Sequence, residues 1–346
     1  MKRIILSIII CFNLAIPVSA MEFTAPAAPD AAEQYLPPTS SSFLKDLWYI
    51  VRKAFSEIAP SITEAIRSCV SVIALVILLS LLRDASSISA QTVNLVGTIA
   101  ISMTLLSPSN SLIKIGIATV NSLSEYGKLL FPIITAALAA EGGTTTSTAL
   151  YTGTVLFNAV LLNGISNLLI PLLYANIALG IANAAINEPV LKNLHNFSKW
   201  LITWSIKIAI YLFTGYLGIT GVVSGTVDAA AIKAAKLAIS GSVPVVGSII
   251  SDASETILVS AGIMKNSTGV YGLLVILAIW IKPFLQIGIQ YLVLKVTAAM
   301  SAVFAPKRTV SLIESFSGAM GFLVAITSTV CLLHLVSIVC FMKGVT

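Results

Sequence analysis

The stretch VYGLLVILAIWIKPFLQIGIQYLVL, residues 270–294, decides the fold class of this 346-residue chain. Fifteen of its residues are Leu, Ile, Val or Phe, and Lys282 carries its only charge. One helical crossing of a bilayer needs about 20 predominantly apolar residues. The apolar residues gain about 0.3–0.6 kcal/mol each on insertion, which outweighs the roughly 2.5–3.5 kcal/mol that a central Lys costs. The stretch therefore predicts a transmembrane helix.

The composition of the whole chain agrees with this prediction. Hydrophobic residues make up 57% and charged residues 10%, against roughly 25% charged residues in soluble proteins. A soluble core of this size could not bury so much apolar surface. The basic residues that give the net charge of +6 are spread along the chain, so we expect no nucleic-acid partner. We predict an all-α, polytopic integral membrane protein.

The apolar runs predict about seven to eight transmembrane helices. The third run is the weakest, because it is short and contains Pro132, and it could be a re-entrant segment instead. The fourth and fifth runs form one apolar stretch, and a turn between Leu168 and Leu169 is predicted only because Asn163-Gly164, Asn167 and Pro171 interrupt it. The predicted spans are Ile66–Leu82, Val93–Leu106, Leu129–Ala140, Ala149–Leu168, Leu169–Ile186, Trp200–Val223, Val270–Leu294 and Ala319–Met342.

Residues 1–20 have the pattern of a cleaved signal peptide. A basic start, Met1-Lys2-Arg3, precedes the apolar run Ile4–Leu14 and the small-residue site Val18-Ser19-Ala20. A run of eleven residues is too short for a crossing of about 20 residues, so an uncleaved first helix is the weaker alternative. The mature N-terminus would then lie outside the cytoplasm.

A Pro/Ala-rich linker, 21–42, and an amphipathic helix, 43–60, come before the membrane domain, 61–346. Pro60 is predicted to end the amphipathic helix, and the capping-box sequence Ser61–Glu64 to open the next. The helix either lies on the lipid surface, which we favour, or docks another protein. Its apolar face consists of Leu44, Leu47, Trp48, Val51, Phe55 and Ile58.

Basic residues between the predicted spans indicate the topology. With the mature N-terminus outside, three basic loops reach the cytoplasmic side, as the positive-inside rule expects. These loops carry Arg83, then Lys192 and Lys199, then Lys295, Lys307 and Arg308.

The segment 224–268 lacks a full span and is predicted to lie on the membrane or dip into it. It contains two short amphipathic helices joined by GSVPVVG, which begins at Gly241, includes Pro244 and ends at Gly247. Asp252 and Glu255 have capping-box spacing at the start of the second helix.

The polar residues Lys282, Gln286 and Gln290 are spaced four apart, so they lie on one face of their helix. This polar stripe either lines a pore or groove, or it is structural. In the second case the Lys282 side chain extends to the membrane surface and the stripe makes a hydrogen bond within the protein. The spacing leaves both alternatives open.

Four glycines cluster near the end of the sixth predicted span. Small residues let transmembrane helices approach closely. We favour packing within the chain over an oligomer interface for Gly215, Gly218, Gly221 and Gly225.

Enzyme signatures are absent from the sequence. It contains no zinc-protease motif, nucleophile elbow, phosphate-binding loop or clustered carboxylates. We therefore expect no catalytic residue, no metal and no cofactor.

The sequence resembles the stage III sporulation protein AE family of endospore-forming bacteria. The signature region VDAAAIKAAKLAISGSVPVVGSIISDASETILVSAGIMKNSTGVYGLL, residues 227–274, carries the resemblance, and it includes Gly241, Pro244, Gly247, Asp252 and Glu255. Further matching segments are KLLFPIITAALAAEGGTTTSTALY, FNAVLLNGISNLL and FSGAMGFLVA.

The resemblance implies a membrane component of a secretion or feeding channel between mother cell and forespore. The channel sustains forespore development and late forespore gene expression. The implied location is the mother-cell membrane around the forespore. Implied partners are membrane lipid and the other proteins of one operon, including a secretion-type ATPase and ring-forming proteins. The competing hypothesis is an autonomous secondary transporter, for which paired broken helices in two related halves are expected.

Overall fold

The computed structural model describes residues 26–38, 42–85, 89–140, 144–186, 188–219 and 267–343. Within these ranges the chain is helical almost throughout and contains no strand. The all-α class predicted from the sequence is confirmed. The signal peptide and nearly all of the segment 224–268, with its five signature residues, lie outside the described ranges.

The described helices follow one another in a simple order. They are α1 (Asp30–Glu33), α2 (Phe43–Ser56), α3 (Ala59–Ala85), α4 (Ala90–Ala140), α5 (Thr144–Gly164), a π-helical turn (Ile165–Leu169), α6 (Ile170–Ile186), α7 (Pro189–Ile219), α8 (Ser267–Ser301) and α9 (Lys307–Lys343).

Five helical stretches of the described ranges are long and apolar enough to cross a membrane, fewer than the seven to eight predicted. The sixth predicted span, Trp200–Val223, begins within α7, which is not among the five, and ends outside the described residues. The five stretches are Ala59–Arg83, Gln91–Ala136, Tyr151–Ile186, Thr268–Ser301 and Lys307–Met342.

The second and third predicted spans are parts of one helix, α4, so their separation was wrong. This helix has 51 residues and continues through Pro108 and Pro132. Its middle is amphipathic: Lys114 and Glu125 are exposed, while apolar residues on the opposite face are buried. The mean hydropathy of this part of the sequence combines both faces and is therefore low. For that reason the middle of α4 was interpreted as a loop between two spans.

The predicted turn at Leu168/Leu169 was also wrong. A π-helical turn, Ile165–Leu169, joins α5 to α6 without reversing the chain. It lies just before Pro171, which has no N–H to donate to a preceding carbonyl. An extra residue in a helical turn is a common response where the regular hydrogen-bond ladder is interrupted.

Pro60 does not end the amphipathic helix, contrary to the prediction. The chain breaks at Glu57 and Ile58, and Pro60 occupies the first turn of α3. Proline fits there because the N–H groups of a first helical turn have no partner within the helix.

A seam of heptad spacing joins α4 to α9. Residues 113, 116, 120, 123, 127 and 130 of α4 alternate steps of three and four, and all are buried. Residues 320, 323, 327, 330, 334, 337 and 341 of α9 do the same. A Cβ on Gly116 would come within 2.6 Å of Leu323, and one on Gly127 within 2.8 Å of His334. The two helices are therefore parallel and packed in a coiled-coil manner.

The structure brings the predicted basic loops to one end of the bundle. Arg83 at the end of α3 lines a cavity together with Pro306 and Thr309 from the turn between α8 and α9. Lys199 is close enough to Lys295 to interact with it electrostatically. Two predicted turns are missing, one within α4 and one before α6. The predicted sidedness of α8 and α9 therefore stays a prediction, and it requires that α7 crosses the membrane.

A labelling experiment tests this sidedness. In a background without native cysteines, we expect Ser267→Cys at the start of α8 to react with an impermeant thiol reagent from outside. Ala302→Cys, in the turn after α8, should react only after permeabilisation. The two positions lie at opposite ends of one 35-residue helix, about 52 Å long at 1.5 Å per residue. Labelling of both from the same side would contradict the arrangement.

Candidate functional site

Helix α8 presents the polar stripe to the N-terminal part of the chain. Lys282 and Gln286 are partly buried, and Gln290 is buried. Helices α1 and α2 both pack against α8. The helix continues through Pro283, which leaves the carbonyl of Ile279 without its usual helical donor.

Lys282 meets an acidic partner that is distant in sequence. Its Nζ lies 3.6 Å from Oε2 of Glu57, which caps the C-terminus of α2. The hydroxyl of Tyr35 donates a hydrogen bond to the same carboxylate oxygen. The Lys282 ammonium also lies 5.6 Å from the centre of the Tyr35 ring, within the range of a cation–π interaction. Three segments of the chain therefore meet at one ion pair.

The electrostatics of this cluster favour an ionised Glu57. The hydrogen bond from Tyr35, followed by the charge of Lys282, lowers the pKa of the Glu57 carboxyl. Burial raises the pKa of Tyr35, and the hydrogen bond to Glu57 raises it further. The phenol therefore remains a donor and the carboxylate an acceptor. The side chains of Lys282 and Glu57 are each 36% exposed, so solvent screens the pair.

The other two residues of the stripe have different surroundings. Nε2 of Gln286 donates to Oγ of Ser61 at 3.1 Å, which fixes α8 against the first turn of α3. Nε2 of Gln290 has no hydrogen-bond partner among the described residues, although the side chain is only 4% exposed. A buried amide without a partner is costly. Lys282, Gln286 and Gln290 thus form a continuous polar face that ends in an unsatisfied donor.

Sequence reasoning missed Tyr35, Glu57 and Ser61 as neighbours of the stripe. Tyr35 lies in the segment interpreted as a linker, yet it is 1% exposed. Glu57 was assigned to the polar face of α2 and Ser61 to a helix cap. The weak signal was an aromatic residue in an otherwise Pro/Ala-rich segment.

The predicted apolar face of α2 is divided between two environments. Leu47 packs on the core and Ile58 is buried, whereas Leu44, Trp48 and Phe55 are exposed. The face that contacts α8 is centred instead on Ile50 and Ala54. An amphipathic helix can thus dock on its own chain and still present apolar side chains outward.

The glycine cluster is only partly described. A Cβ on Gly215 would meet no heavy atom within 4 Å, so no helix of the described ranges packs closely there. Gly218 lies in the last turn of α7. Gly221 and Gly225 lie outside the described residues.

Metal-ligating side chains are dispersed in the described ranges. No three His, Cys, Asp or Glu residues of these ranges lie together in a way that could hold a metal ion.

Tyr35 is expected to hold α1 against the bundle, and Tyr35→Phe tests this. The variant removes the donor to Glu57 and keeps the ring. A hydrogen bond to a charged group contributes about 1.5–3 kcal/mol, and solvent reduces this value here. We expect hydrogen exchange of residues 26–38 to become about tenfold faster. Tyr49→Phe, on the exposed side of α2, is the control and should leave the exchange rate unchanged.

Fold and site together define a polytopic all-α membrane protein whose polar stripe on one helix is bound by an N-terminal amphipathic helix. The profile of the family described as Stage III sporulation protein AE matches residues 40–344, so the chain belongs to that family. The resemblance found in the sequence is confirmed.

A curated relative extends this finding. The Stage III sporulation protein AE of Bacillus subtilis (strain 168) is 21% identical over 223 residues. The match covers 63% of this chain and 55% of the relative, so the chain aligns with about half of that protein's length. No solved structure matches this fold. The family has a sporulation role and is not known as a family of enzymes.

Proposed function

We propose that this protein is a non-enzymatic membrane component of a sporulation secretion or feeding channel. The channel links mother cell and forespore, and the protein resides in the mother-cell membrane around the forespore. There it supports forespore development and late forespore gene expression. The observation that carries the proposal is the family match over residues 40–344.

The partners that we propose are the other membrane proteins of the same operon. They include a secretion-type ATPase and ring-forming proteins, which would supply the energy and the extramembrane part of the channel. The absence of a phosphate-binding loop from the sequence supports an external source of energy. Exposed apolar residues on α2, among them Trp48 at 67% exposure, are available for contact with lipid or with such partners.

Within this function, the stripe of Lys282, Gln286 and Gln290 is proposed to line a polar groove. The face is continuous on α8, and its buried end carries an unsatisfied donor. Ionisable residues in membrane-spanning helices generally face a protein interior or a water-filled path. The ion pair of Lys282 with Glu57 lies at one end of this polar face.

Copurification tests the proposed function. The full chain, tagged and expressed at its native level, is isolated from sporulating cells in mild detergent. We expect the ATPase and the ring-forming proteins to be recovered with it, and not with an unrelated tagged polytopic protein from the same cells. Recovery of the chain alone, together with substrate transport by the purified chain in liposomes, would instead establish the autonomous secondary transporter.

A further inference from the structure

A cavity of about 240 Å³ lies where α3 ends, α4 begins and α8 turns into α9. Its wall combines apolar side chains, among them Val76 and Leu79, with the polar side chains of Arg83 and Asn94. Val76 precedes Arg83 by seven residues, about 10 Å along α3. The apolar part of the wall therefore lies deeper in the bundle, and the guanidinium lies at the end of the helix.

The helices around this cavity are apolar on their outer faces. Large side chains are exposed on two of these helices and in the turn after α8: Leu78 and Leu81 on α3, Leu95 and Val96 on α4, and Val303 and Phe304 in the turn. Exposed apolar surface of this extent on helices long enough to span a membrane is typical of contact with lipid chains. The cavity is thus surrounded by surface suited to acyl chains.

The end of the bundle that holds the cavity is basic. Arg83 lines the cavity, Lys307 and Arg308 directly follow Pro306 of its wall, and Lys199 interacts electrostatically with Lys295 and Glu314. A basic excess close to the membrane boundary attracts anionic lipid. Arginine in particular binds phosphate through two parallel hydrogen bonds.

We propose that this cavity binds one phospholipid with an anionic headgroup. Arg83 holds the phosphate, and Val76 and Leu79 contact the first carbons of an acyl chain. The volume of about 240 Å³ is smaller than the roughly 300–1,000 Å³ of a pocket that encloses a whole drug-sized ligand. It therefore accommodates only part of the lipid, and the rest lies along the apolar surfaces of α3, α4 and α8.

Lipid titration followed by native mass spectrometry tests this site. The full chain in detergent is titrated with phosphatidylglycerol and with phosphatidylcholine of identical acyl chains. We expect phosphatidylglycerol to bind about tenfold more tightly, because no choline cation offsets the charge of its phosphate. Arg83→Leu should abolish this preference by weakening phosphatidylglycerol more than phosphatidylcholine. Ser80→Phe, which fills the cavity and keeps Arg83, should weaken both lipids. Arg67→Leu, an exposed position on the same helix away from the cavity, is the matched control and should bind as the native chain does.

Three results would overturn the proposal. Equal affinity of the native chain for both lipids would show that the headgroup charge is not recognised. An unchanged lipid preference in Arg83→Leu would place the lipid elsewhere. Displacement of phosphatidylglycerol by inorganic phosphate at equal concentration would show a simple anion site that does not use the acyl chain. Equal elution volumes and thermal midpoints show in each case that the variants are folded.

Discussion

Cells carrying Lys282→Leu are expected to accumulate the protein at a normal level and to form almost no spores. The substitution removes the charge that begins the proposed polar groove. It also makes α8 easier to insert, because a Lys within a span costs about 2.5–3.5 kcal/mol. A defect in function with no loss of protein therefore distinguishes a role in the groove from a role in stability. Spore counts and immunoblots of the same cultures measure the two quantities.

The charge swap Lys282→Glu with Glu57→Lys separates the groove from the ion pair. The swap keeps an ion pair between α2 and α8 but moves the positive charge off the stripe. We expect α1 and α2 to remain docked and sporulation to stay defective. Restored sporulation in the swap would show that only the pair matters, and normal sporulation of Lys282→Leu would exclude both roles. Lys114→Leu, which removes an exposed charge from α4, is the control and should sporulate normally.

Gly180→Leu is expected to prevent stable accumulation of the protein. A Cβ at this position of α6 would lie 2.7 Å from Cβ of Ser315 on α9 and 3.0 Å from Cε1 of His195 on α7. The Ser315 Cβ cannot rotate away, so the two helices must separate. Overpacking of a well-packed core costs typically about 1–3 kcal/mol, and occasionally more. Immunoblots and the thermal midpoint in detergent measure the effect.

The matched control for Gly180 lies on α8. A Cβ on Gly288 would meet no heavy atom within 4 Å, so Gly288→Leu should accumulate as the native chain does. If both leucine variants disappear from the membrane, added volume in any helix is harmful and the close contact between α6 and α9 is not the cause. If both accumulate, the contact is not as close as the structure shows.

Helices with continuous apolar runs were predictable from the sequence. This holds for α8 and α9, which are mostly buried, and for α3, which is mostly exposed. The full length of α4 was not predictable in the same way, because Lys114 and Glu125 alternate there with buried apolar residues and lower the mean hydropathy. The heptad spacing is present in the sequence, but only the structure shows that α9 is the helix that packs against it.

The polar stripe was predictable because a spacing of four is a local property of one helix. The contacts that complete it were not. Glu57 is 225 residues from Lys282 in the sequence, and Ser61 is 225 residues from Gln286. Such pairs depend on how α2, α3 and α8 pack, and many other acidic and hydroxyl side chains were equally available to a reader of the sequence.

The central position of α9 has a consequence for biogenesis. This helix contacts α4, α6, α7 and α8 but follows all of them in the chain. At a synthesis rate of about 5–20 residues per second, its 37 residues emerge over roughly 2–7 s. During that time the earlier helices have no partner in the chain for the faces that α9 later covers, so lipid or the insertion machinery must hold them.

Helix α9 is suited to insert into the membrane before it packs against the other helices. Thr327 donates to the carbonyl of Leu323 at 3.1 Å, Ser337 to that of Leu333 at 2.7 Å, and His334 Nδ1 lies 2.9 Å from the carbonyl of Val330. Bonds within one helix form independently of any other helix, and they reduce the cost of placing polar side chains in hydrocarbon. The helix that closes the bundle therefore satisfies much of its own polarity during insertion, and its later assembly is driven by packing.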